Sequence, residues 1–117
     1  MGTFKNNTII STFEELQYFT SITQLNQSCF EGCTQLTKVI VPEHVSLIYW
    51  ASFRYNPNLL YIKILATSFV SLNGGNGFHQ TNDCPIYVPD DLVETYKSAS
   101  YWSQYASRIK GWSDFPG

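Results

Sequence analysis

Residues 22–42 read Ile22-Thr23-Gln24-Leu25-Asn26-Gln27-Ser28-Cys29-Phe30-Glu31-Gly32-Cys33-Thr34-Gln35-Leu36-Thr37-Lys38-Val39-Ile40-Val41-Pro42. At an offset of 23 residues the pattern returns: Ile22 and Leu25 fall on Val45 and Ile48, Phe30 on Phe53, Leu36 on Leu59, Val39 on Ile62 and Val41 on Ile64. A looser third copy places Phe69, Leu72 and Phe78 at offsets of 24 to 25 and closes on Ile86-Tyr87-Val88, with Asn73-Gly74-Gly75-Asn76-Gly77 absorbing the slippage. Each copy has the same parts. An apolar pair opens it, a small residue precedes a Phe, a polar turn follows, and a Leu leads into an alternating strand.

One such unit cannot bury its own apolar residues. Stacked units bury them by aligning Phe over Phe and Leu over Leu. Period-two alternation predicts Val39, Val41, Ile62, Ile64, Ile86 and Val88 inward, with Ile40, Lys63 and Tyr87 outward in a row. Phe30, Phe53 and Phe78 are expected in one buried column, and Leu36 and Leu59 in a second.

The run from Ile22 through Cys29-Phe30-Glu31-Gly32-Cys33 to Val39-Ile40-Val41-Pro42 resembles the BspA-like leucine-rich repeat, a class of surface proteins of gut and oral anaerobic bacteria. The match covers residues 20–89, and the segment from Ile86-Tyr87-Val88-Pro89 to Tyr105 resembles the ending of such arrays. Ser52 and Asn56 replace Cys29 and Cys33 in the second copy, and the third copy is irregular. The expected fold is an α/β repeat: a short leucine-rich-repeat solenoid of about three units of 23–25 residues in one domain. Residues 1–19 are expected as an N-terminal helical cap, 20–89 as repeats, and 90–117 as a C-terminal two-helix cap and tail.

The caps are read from local signals. Thr12-Phe13-Glu14-Glu15 fits a capping box that opens a helix. Asp90 and Asp91 ahead of Leu92–Lys97 suit a helix start, with Leu92, Val93 and Tyr96 on one face. A second short helix is expected from Trp102 to Ile109, ended by Gly111. Residues 112–117 have no readable periodicity.

Composition narrows the function. Seven basic and nine acidic residues, with no Lys/Arg run, argue against nucleic acid. No apolar run is long enough for membrane insertion, and residues 1–7 contain no leader-like apolar core. Neither histidine has a partner pattern for catalysis. Three cysteines with a His make a zinc set by number alone. Cys84 lies two repeats beyond Cys29 and Cys33, roughly 10 Å at the strand spacing, too far for one metal. No enzyme activity, cofactor or metal is expected. Paired carboxylates fall at helix starts, and the glycine-rich stretch lacks the ending of a phosphate loop.

Two functions fit. The resemblance implies a protein- or glycan-binding adhesion module, at the cell surface or secreted as part of a longer precursor. A chain opening at Met1 without a leader also fits a virion component, held by neighbouring chains in an assembly. One candidate contact surface is the outward row Ile40, Lys63 and Tyr87. The other is Tyr49, Trp50, Arg54 and Tyr55, which replace Asn26, Gln27, Glu31 and Gly32 of the first copy. Tyr, Trp and Arg dominate interface energies, and stacking alone gives no reason for these four changes.

Overall fold

The computed structural model describes residues 12–13, 23–25, 31–49, 53–74, 78, 81 and 83–115. Two parallel sheets are built by the repeat. The larger holds β1 (Thr12–Phe13), β3 (Lys38–Val41), β5 (Tyr61–Ile64), β7 (Ile86–Val88) and β8 (Ile109–Gly111) in that order. The smaller holds β2 (Gln24–Leu25), β4 (Leu47–Tyr49) and β6 (Ser71–Asn73). Each unit gives one strand to each sheet, as the opening apolar pair and the closing alternating run require.

The register follows the sequence offset. Val39 pairs with Ile62 and Ile62 with Ile86, while Leu25 pairs with Ile48 and Ile48 with Leu72. Val39, Val41, Ile62, Ile64, Ile86 and Val88 are all buried, so β-branched side chains fill the interior at every second strand position. Between the strands the turns also bond rung to rung. Gly32 N–H donates to Arg54 O at 2.9 Å, the Asn58 amide to Thr34 O at 2.7 Å, and Leu60 N–H to Thr37 O at 2.7 Å.

Phe53 and Phe78 stack at 5.6 Å between centroids, tilted by only 7°, and both are fully buried. Leu36 and Leu59 are likewise fully buried. Phe30 lies outside the described residues. The aromatic column continues past the third unit, because Trp102 lies 5.3 Å from Phe78 and Tyr105 meets Phe78 edge-on at 5.4 Å. The third member of the leucine column is a substitution. Cys84 stands where Leu36 and Leu59 stand, since Leu36, Leu59 and Cys84 each donate their N–H to the residue three positions back.

Residues 89–115 lie against the last unit, and their polar side chains take up the backbone groups that another rung would otherwise meet. Tyr96 Oη accepts from Val70 N–H at 2.8 Å, Trp102 Nε1–H donates to Val70 O at 2.9 Å, and Tyr105 Oη accepts from Phe78 N–H at 3.2 Å. Arg108 donates to the carbonyls of Cys84 and Phe78 and to Thr81 Oγ1. A buried backbone group without a partner costs about 1–3 kcal/mol, so these contacts hold residues 89–115 against the third unit. Burial pushes the Tyr96 phenol up to about 12, opposed by the hydrogen bond it accepts from Val70. Burial also raises the Cys84 thiol, against the lowering effect of Arg108.

The structure departs from the sequence expectations at both ends. Thr12–Phe13 is extended and pairs with Lys38 and Val39 of β3, so no helix starts at Thr12. A strand in that register is a rung of the main sheet. Leu92, Val93 and Tyr96 do pack on the core, from a 3₁₀ turn (Asp90–Leu92) followed by α1 (Val93–Ser98). The expected second helix is instead a pair of 3₁₀ turns over Ser103–Arg108, kinked at Tyr105. Ile109–Gly111 then forms β8, parallel to β7. Gly111 is therefore a strand residue, and its role is close approach: a Cβ there would sit 2.0 Å from Asp90 Oδ1, which accepts from Ser113 N–H. Another 3₁₀ turn, Trp112–Asp114, opens the tail.

Candidate binding surfaces

The turn after each Phe has a fixed inside and a variable outside. Gly32 and Tyr55, related by the repeat offset, both adopt left-handed backbone, with φ of 73° and 64°. The following residue turns inward. Asn56 is buried, and its amide donates to Phe53 O at 2.6 Å; Thr81 Oγ1 donates to Phe78 O at 2.6 Å in the third unit. Cys33 occupies the same place in the first unit and is buried. Cys33, Asn56 and Thr81 are small polar residues that fit one buried turn, and the two described thiols, Cys33 and Cys84, are free. Among the described residues no three His, Cys, Asp or Glu side chains group as metal ligands. Cys29 and His79 lie outside them.

The candidate cluster from the second unit divides. Arg54 forms an ion pair with Glu31, its own counterpart one rung below, with Nε–H donating to Oε2 at 2.6 Å. The Glu-to-Arg change therefore has a structural cause that the sequence comparison missed. Two like charges stacked one rung apart would repel, and opposite ones pair. The Glu31 side chain is almost wholly buried and Arg54 is one-quarter exposed. The Arg54 guanidinium also lies over the Tyr55 ring, 4.7 Å from its centroid. Tyr55 is 43% exposed and Tyr49 is half-buried at the end of β4. Trp50 lies outside the described residues.

Tyr55 is a residue that stacking does not explain. A left-handed conformation costs an L-residue with a Cβ roughly 1–2 kcal/mol, and the preceding turn avoids this with Gly32. Here a large ring is held there, pointing to solvent, with a cation across it.

The second candidate surface, the outward row, is in register as expected: Ile40 beside Lys63, Lys63 beside Tyr87, and Lys110 of β8 after that. It is not a free face, however. The tail folds back across it, with Phe115 edge-on to Tyr61 at 4.9 Å and to Tyr87 at 5.0 Å. Lys63 Nζ sits 4.3 Å over the Phe115 ring, and Trp112 Nε1–H donates to Ile64 O at 3.0 Å. Tyr87 is only 8% exposed as a result. Ile40 and Lys63 remain half-covered. The aromatics Phe115 and Trp112 carried this signal in a segment without periodicity, and Tyr61 carried it at an outward strand position.

Stacked short parallel strands, a repeat of 23 residues and columns of Phe and Leu define a small leucine-rich-repeat solenoid. The model of the family described as BspA type leucine-rich repeat region (6 copies) matches residues 2–107, and the chain belongs to that family. The match runs through residues 1–19, so repeat sequence reaches into the stretch expected as a cap, in keeping with β1. Leucine-rich repeats of this kind are typically non-catalytic and generally bind proteins. No curated protein matches the sequence. Among the described residues no helix is long and apolar enough to cross a membrane.

Proposed function

We propose that this domain is an adhesion or binding module of a bacterial surface protein, and that it contacts a protein partner through the rim formed by Tyr49, Trp50, Arg54 and Tyr55. Residues 90–117 serve as the C-terminal cap that ends the array, leaving the sides of the solenoid as its working surfaces. The observation that carries the reading is Tyr55, an exposed ring stacked with Arg54 in a left-handed turn where glycine is the easier residue. Tyr and Arg suit such a contact because they bury large area at low entropy cost and keep a polar end. The outward row is the lesser surface, because the tail already covers Lys63 and Tyr87.

Photo-crosslinking tests the proposal. A benzoylphenylalanine placed at position 55 is expected to capture a protein from host-cell surface extract. The same probe at Tyr101, which is also exposed and left-handed but belongs to the closing segment, is the control. Equal capture at both positions, or none at 55, would count against the rim.

A further inference from the structure

An open groove of about 1060 Å³ lies beside the last two strands of the larger sheet, away from the rim just described. Its walls come from several parts of the chain: Asp83 ahead of β7, Tyr87 on β7, Gln104 and Ser107 on the kinked 3₁₀ turns, Lys110 on β8, and Asp114 in the tail. Its size is at the upper end of ordinary small-ligand sites, roughly 300–1,000 Å³.

The chemistry of the walls selects a ligand class. Asp83, Ser107, Lys110 and Asp114 are exposed, and none of the four side chains pairs with another described residue. Arg108 also borders the groove, but its guanidinium is committed to the carbonyls of Cys84 and Phe78 and to Thr81. Those partners are neutral and leave its charge in place, so two carboxylates meet two cations, Arg108 and Lys110, and the groove favours neither an anion nor a cation. An apolar ligand would leave these polar groups desolvated and unpaired. The set offers carboxylate acceptors, an ammonium donor and a hydroxyl that does both, while the rings of Tyr87 and Tyr105 are nearly wholly covered. Sugar hydroxyls are donors and acceptors together, which suits such a mixed and charge-balanced wall.

We propose that this groove binds a neutral oligosaccharide. Asp83 and Asp114 accept from sugar hydroxyls, and Ser107 and Lys110 supply donors, with Gln104, whose amide donates to Tyr101 O, at the groove's edge. The assignment does not depend on the rim, because Tyr49, Arg54 and Tyr55 do not line the groove.

The whole chain on a printed array of neutral and anionic glycans is the first test, followed by amide chemical-shift mapping of ¹⁵N-labelled protein with the strongest glycan found. The expected result is binding to neutral glycans, with shifts centred on Asp83, Gln104, Ser107, Lys110 and Asp114. Asp114→Asn and Asp83→Asn, both at exposed positions, should each weaken it by about tenfold or more at unchanged Tm. Tyr55→Gly should leave it intact, which separates failure of the groove from failure of the rim. Silence on every neutral glycan, binding confined to anionic ones, shifts centred elsewhere, or full affinity in both Asp variants would overturn the proposal.

Discussion

The turns Glu31-Gly32-Cys33 and Arg54-Tyr55-Asn56 have the same backbone one rung apart, yet share no side chain. What they have in common is geometry: a left-handed middle residue, then a small polar residue buried beneath it. What differs sorts into three kinds. Cys33 and Asn56 are alternative ways to satisfy one buried turn. Glu31 and Arg54 differ because they pair with each other. Gly32 and Tyr55 differ with only the contact to the Arg54 guanidinium gained, and there the backbone cost falls on the tyrosine.

The largest effect expected along this comparison lies beneath the turns, in the part they share. Phe53→Ala removes one ring of a fully buried stack and should cost about 3–5 kcal/mol in chemical denaturation. Next comes the pair between the turns. Arg54→Ala removes the Arg54 guanidinium from the buried Glu31 carboxylate, and should cost about 2–4 kcal/mol. Adding Glu31→Gln should recover most of that loss, and no recovery would mean that the pair is not the reason for the two charges.

The third unit extends the comparison to the segment after it, where Tyr96 Oη accepts from Val70 N–H. Its phenol titrates near 12 when folded and near 10 when unfolded, so unfolding releases its proton more readily. Its contribution is therefore complete below pH 10 and is lost as pH rises through 12, about 2–3 kcal/mol in all. Denaturation curves for the wild type and Tyr96→Phe should differ in pH slope across that window. Parallel slopes would remove the tyrosine from the account.

Asn56 sharpens the comparison further. Asn56→Ala should cost about 1–2 kcal/mol through the lost bond to Phe53 O, while Asn56→Thr, the residue of the third turn, should cost less than about 1. Equal losses would show that the position is not one interchangeable turn bond.

The interior of this molecule was legible because burial repeats. Val39, Ile62 and Ile86 face the same interior from successive rungs, so one offset locates them all, and the Phe and Leu columns follow by the same logic. The closing segment keeps the offset with other residues: Ile109 pairs with Ile86 at 23, and Trp102, 24 residues after Phe78, extends the Phe53–Phe78 column without a Phe to mark it. Arg108 meets backbone carbonyls that leave no mark on side-chain pattern. Thr12 illustrates a local signal overridden by tertiary pairing, since a capping box is worth less than a place beside β3. Of the candidate surfaces, the outward row was legible in register but not in exposure, because Phe115 reaches it from a tail whose path local sequence does not encode. The rim was legible as a set of changes, and only the geometry separated Arg54, which the fold uses, from Tyr55, which it does not.

That separation rests on one substitution read two ways, Tyr55→Gly, with unfolding free energy and retention of the surface-extract partner measured on the same protein. Glycine suits the left-handed turn, so the account predicts stability unchanged within about 1 kcal/mol or slightly raised, and retention reduced by about tenfold or more. A loss of stability of more than about 1 kcal/mol together with undiminished retention would contradict it, and would place Tyr55 among the residues that hold the stack together.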